Sequence, residues 1–76
     1  MTEKFRKEFE IFVKDEFDAT DVTFVRGKFF VEGITFDQAC SISNAVEENS
    51  NYLVFMTADV GCEVPNKKGD FIFDIG

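Results

Sequence analysis

Val22-Thr23-Phe24-Val25-Arg26-Gly27-Lys28-Phe29-Phe30-Val31-Glu32-Gly33 is the stretch that decides the fold. Two runs rich in Val and Phe flank Gly27, and their alternation reads as a β-hairpin. With Arg26 and Gly27 as the loop, Phe24 faces Phe29 and Val22 faces Val31. That register gathers four apolar residues on one face, as cross-strand pairing requires. Thr23, Val25, Phe30 and Glu32 take the other face. Phe30 stands out among those more polar neighbours: either it rests against another element or it is exposed for a partner.

Upstream, residues 2–16 read as an amphipathic helix. Thr2 caps it and Glu3 sits in its first turn, where the dipole favours an acid. Phe5, Phe9, Phe12 and Val13 form one stripe at helical spacing. Glu3–Lys7 and Glu10–Lys14 are favourable pairs at i, i+4. Glu16 falls back in line with the stripe, which predicts fraying near Lys14–Glu16. Ile11 points away from the stripe, and a single exposed Ile is ordinary. Asp15, Glu16, Asp18 and Asp21 then crowd into a connector. It lacks the central Gly of a calcium loop and reads as a solvated segment, with a contact patch for a basic partner as the alternative.

Downstream, Thr35-Phe36-Asp37-Gln38 is a capping box, with Ile34 and Ala39 placed as a hydrophobic staple. Small residues in the stripe Phe36, Ala39, Cys40, Ile42, Ser43 and Val46 predict a helix lying flat on a sheet and ending near Glu48. Tyr52–Ala58 is apolar on both faces, which predicts a central strand. Asp59-Val60-Gly61 reads as a turn. Cys62–Val64 reads as an optional short strand, with Pro65 at its end. Asp70–Ile75 places Phe71, Phe73 and Ile75 on one face and Asp70, Ile72 and Asp74 on the other. The element order is therefore α-β-β-α-β-(β)-β. It predicts a single α+β domain over residues 1–76, an antiparallel sheet with two helices packed on it.

Composition narrows the function. The chain has eleven Phe among 76 residues and is 45% hydrophobic, with no His and no Trp. That is too apolar for a disordered chain. Eleven Phe supply a core without disulfides or metal, so Cys40 and Cys62 are expected to be buried reduced thiols, with a single bridge between them as the alternative. The run Leu53–Met56 is far short of the roughly 20 residues that span a bilayer. Met1–Glu8 lacks the features of a secretory signal, which predicts a cytoplasmic protein with no membrane partner.

Fifteen acids stand against eight bases, for a net charge of -7. A direct nucleic-acid binder is disfavoured, because phosphate contact needs clustered Lys and Arg. The imbalance is local. Residues 29–66 hold six acids and no base: Glu32, Asp37, Glu47, Glu48, Asp59 and Glu63. Sharing a face, they would steer basic partners; otherwise they serve solubility.

Catalytic signatures are missing. There is no phosphate-cradling Gly-Lys loop and no Cys-x-x-Cys pair. With no His, a cysteine nucleophile lacks its usual base. Asp70 and Asp74 lie about 13 Å apart by strand rise, too far for paired-carboxylate glycosidase chemistry. The expectation is no enzyme, no cofactor and no metal.

The helix–hairpin–helix half resembles small accessory proteins of tailed bacteriophages. The residues concerned are Phe5-Arg6-Lys7-Glu8-Phe9-Glu10, Gly27-Lys28-Phe29 and Thr35-Phe36-Asp37-Gln38-Ala39. The resemblance covers just over half the chain and implies a phage gene product acting on host machinery in the host cytoplasm. Many such products inhibit defence nucleases or polymerases, anti-CRISPR inhibitors included, and several mimic nucleic acid.

Three readings follow. In the first, an acidic binding protein inhibits a host enzyme with a basic surface (a nuclease, polymerase or surveillance complex). The six acids and Phe30 form the contact. In the second, the chain self-associates as a homodimer or interaction module, using Phe30, Phe17, or Phe71 and Phe73 near a free strand edge. In the third, it sequesters a nucleotide signal, with Arg6, Arg26, Lys28, Lys67 and Lys68 opposing the phosphate charge.

Overall fold

The computed structural model describes residues 2–60 and 67–76, with Asp59 and Val60 described by backbone alone. Helix α1 spans Glu3–Phe17, strand β1 Asp21–Val25, β2 Lys28–Ile34, helix α2 Phe36–Asn49, β3 Val54–Val60 and β4 Gly69–Ile75. All strand pairs are antiparallel, in the order β1-β2-β4-β3. The protein is an α+β domain with the element order α-β-β-α-β-β. The optional strand Cys62–Val64 lies outside the described residues, as does Cys62 itself.

The hairpin forms in the register its sequence predicts, with Val22 opposite Val31 and Phe24 opposite Phe29. Arg26 (φ 53°) and Gly27 (φ 80°) both adopt positive φ. That is the two-residue turn whose twist matches the flanking strands.

Both helices cover the same face of the sheet. Phe9 of α1 lies 4.2 Å from Phe29 and 6.0 Å from Phe73, ring centre to ring centre. Phe36 of α2 lies 6.4 Å from Phe71. Phe29, Val31, Ile34, Phe71 and Phe73 are buried beneath the helices, with Phe9, Val13, Ala39, Ile42 and Val46 above them. Small side chains bring α2 down onto the sheet, and the capping box at Thr35 and Gln38 forms as predicted.

Three expectations are corrected. First, α1 does not fray at Lys14–Glu16 but continues to Phe17. Phe17 packs edge-on against Phe12 at 5.4 Å, and its carbonyl accepts a hydrogen bond from the Gln38 amide nitrogen Nε2 at 3.4 Å. Asp18 then ends the helix in the left-handed region, at φ 55°. These tertiary contacts outweigh the unfavourable Glu16. Phe17 is thus a helix anchor rather than a free contact residue.

Second, the strand expected to be central is an edge strand. Among the described residues β3 pairs with β4 alone, and Leu53 and Phe55 are 60% and 68% exposed. The central place goes to β4. Its Phe71, Phe73 and Ile75 fill the core, so its less apolar opposite face does not bar it from the middle of the sheet. Third, Phe71 and Phe73 do not flank a free edge. β2 and β3 enclose β4 on both sides, and both rings are buried.

Among the described residues no helix is long and apolar enough to cross a membrane. Cys40 is a half-buried thiol on α2.

Candidate functional site: the open face of the sheet

A sheet with both helices on one side leaves its other side to solvent. Strand pairing aligns that side into rows. The middle row runs Thr23, Phe30, Ile72, Thr57 across β1, β2, β4 and β3. The row nearer the hairpin turn runs Val25, Lys28, Asp74, Phe55. The third row brings Asp21, Glu32 and Asp70 side by side on β1, β2 and β4. None of these eleven side chains is buried; Phe30, Asp70 and Ile72 are half-buried and the rest exposed.

The face thus has an apolar strip and a charged border. Phe30 and Ile72 are neighbours at its centre, with Phe55 and Val25 at opposite corners, 68% and 44% exposed. Strand spacing of about 4.8 Å puts the Asp21–Glu32–Asp70 row within roughly 10 Å. Like charges opposite one another on adjacent strands disfavour the sheet. Asp21 receives a hydrogen bond from Thr23 Oγ1 at 3.3 Å. Among the described residues the ion pairs all lie along α1, so no protein cation neutralises this row. Lys28 is the face's one base, against Asp21, Glu32, Asp70 and Asp74.

The six predicted acids do not come together. Glu32 stands on the open face, beside Phe30. Asp37, Glu47 and Glu48 are exposed on α2, on the far side of the sheet. Asp37 is in the first turn of α2, where the dipole favours it. It lies about 15 Å along the helix from Glu47. Glu47 has a structural task, since its carboxylate accepts a hydrogen bond from the Val54 N–H at 3.0 Å. The side chain of Asp59, and all of Glu63, lie outside the described residues.

Asp70, Ile72, Asp74 and Phe55 belong to the face without having been singled out as contact residues, and Asp21, read as part of the acidic connector, instead opens β1. The alternation of Asp70-Phe71-Ile72-Phe73-Asp74 did separate its two faces. The missing information was the neighbour: only the strand order sets β4 beside β2 and brings Asp70 to Glu32 and Ile72 to Phe30.

Two recesses flank α1. One, of about 220 Å³, is lined by Arg6, Lys7, Val22 and Phe24 together with Glu3 and Glu10. The other, of about 250 Å³, lies between the helices against Phe5, Phe9, Phe12 and Val46. Both are smaller than the roughly 300–1,000 Å³ typical of small-ligand sites. The α1 cations are also engaged: Lys4, Lys7 and Lys14 pair with Glu8, Glu3 and Glu10. Arg6 lies over the Phe24 ring at 4.7 Å. No cationic pocket for a phosphate assembles from them. Among the described residues no cluster of His, Cys, Asp and Glu is arranged to hold a metal ion.

Comparison with protein-family models, with curated proteins and with solved structures finds no match.

Proposed function

We propose that this chain is a non-enzymatic binding protein whose open sheet face docks on a basic protein surface and blocks it. The observation that carries this reading is the uncompensated row Asp21, Glu32, Asp70 beside the strip Phe30, Ile72, Phe55. The apolar strip supplies buried area and the acids supply orientation and rapid encounter. The complement is a cationic surface with an apolar point among its bases. Nucleic-acid grooves of enzymes have that character, and the resemblance to phage accessory proteins favours a host nuclease, polymerase or surveillance complex as the target. Three or four carboxylates substitute for a few phosphates, so the complex should weaken as salt rises.

Affinity capture from bacterial lysate at low salt, with mass spectrometry, tests the reading. Recovery of a nucleic-acid-handling enzyme, lost with Glu32→Lys and Asp70→Lys but kept with Glu48→Lys on α2, is the expected result. No such enzyme at low salt, or capture that depends on Glu48 and not on Glu32, would sink it.

A further inference from the structure

The sheet has two borders, and they are defended differently. β1 is five residues long, begins with Asp21 and runs into Arg26. β3 is seven residues long, and Asp59 near its end is its one charged residue; from Tyr52 to Ala58 the chain carries no charge. Charged side chains are the usual protection of an edge strand against pairing with another chain.

Backbone directions on β3 follow from its inner contacts. Leu53 and Gly76 exchange both hydrogen bonds, at 3.2 and 3.1 Å. Alternation along an antiparallel ladder then turns Phe55 and Thr57 inward to β4. Val54, Met56 and Ala58 direct their N–H and C=O groups outward. The outward Val54 N–H is met by the exposed Glu47 carboxylate, which occupies the place of a neighbouring strand's carbonyl. Among the described residues nothing meets the outward groups of Met56 and Ala58.

We infer that a second copy of this chain pairs antiparallel along β3, joining two four-stranded sheets into one of eight. The pairing that uses every outward group sets Met56 opposite Met56 and Val54 opposite Ala58 about a twofold axis. Each bond is then made twice, the self-complementarity that a twofold interface requires. The Val54 N–H passes from Glu47 to the partner's backbone, and the Glu47 carboxylate turns to solvent. On the open face each Phe55 lies opposite Thr57 and diagonal to the other Phe55, within aromatic reach. Leu53 and Phe55, both among the most exposed large apolar side chains, are covered together. Charge permits this occupant: two chains of net charge -7 repel over most of their surface, but the paired stretch Val54–Ala58 carries no charge, and the register sets Asp59 opposite Leu53 rather than opposite another acid. The inference does not rest on the docking role of the open face, although Phe55 belongs to both surfaces.

Sedimentation or light scattering on the whole protein, in a series up to about 100 µM, detects association of micromolar strength. Wild type should approach twice the 8.7 kDa monomer mass. Phe55→Lys should return it to monomer with its circular dichroism unchanged. Met56→Pro, which removes an outward N–H, should do the same. Phe30→Lys, away from the border, should leave the dimer intact. A wild-type monomer throughout the series overturns the inference. So does a dimer that survives Phe55→Lys, or one dispersed by Phe30→Lys alone.

Discussion

The carboxylate of Glu47 accepts a hydrogen bond from the backbone N–H of Val54 at 3.0 Å, tying the last turn of α2 to the first residue of β3. An acid at a helix C-terminus opposes the dipole, and this contact offsets that cost. Glu47→Ala removes both effects, so the net loss should be small, about 0.5–1 kcal/mol. Glu48→Ala, at the same helix end without a hydrogen bond to lose, should be neutral or slightly stabilising. Urea unfolding of the two variants side by side measures the difference.

Gly33 and Gly27 both have positive φ, at 82° and 80°, but their surroundings differ. A Cβ at Gly27 meets open space, whereas one at Gly33 would run into the Oγ1, Cβ and backbone N of Thr20. Gly27→Ala should therefore cost only the left-handed backbone term, about 1–2 kcal/mol. Gly33→Ala should cost clearly more, since it also disrupts the bulge between Glu32 and Ile34. For a domain of this size each kcal/mol lowers Tm by about 4–8 °C. Equal melting temperatures for the two variants would contradict the packing at Thr20.

Ser43 sits on the sheet-facing side of α2, and its buried Oγ has no hydrogen-bond partner among the described residues. A buried hydroxyl without a partner costs about 1–3 kcal/mol in desolvation. Ser43→Ala removes that cost and raises helix propensity, so it should stabilise the fold by about 1 kcal/mol. Thermal unfolding reports the sign directly.

The open face should be separable from stability. Phe73 is buried between the helices and the sheet, and Phe73→Ala should cost about 3–5 kcal/mol, enough to unfold much of a small domain. Phe30→Ser and Ile72→Ser, on the opposite side, should cost about 1 kcal/mol or less while abolishing partner capture. Capture that survives both open-face changes in a folded protein would contradict the assignment of the face.

Local chemistry made most of this fold legible before any coordinates. Gly27 between two alternating runs announced the hairpin and its register. Thr35 and Gln38 announced the start of α2. Phe71, Phe73 and Ile75 announced the buried side of the last strand. The failures share a cause, which is that they concern neighbours. Tyr52–Ala58 reads as buried on both sides because its own residues are apolar, yet strand position depends on who pairs with whom. The end of α1 depends on Gln38, twenty-one residues beyond Phe17. The site was half legible for the same reason. Phe30 and Glu32 were visible on the hairpin, while Asp70 and Ile72 reached them only through the pairing of β2 with β4.

The position of β4 has a kinetic consequence. β1 and β2 pair across a two-residue turn, and β3 and β4 are neighbours in sequence that pair with each other, so the one long-range pairing in the sheet is that of β2 with β4. Both strand pairs and the capped helix can therefore form from local contacts, while the four-stranded sheet waits on a single long-range docking of β4 against β2. Loop closure of that kind slows folding more than it weakens the final state. Changes in β4 such as Ile72→Ala should mainly alter the rate of the last, cooperative step. Until that step is complete, the uncharged run from Tyr52 to Ala58 is the segment most open to aggregation.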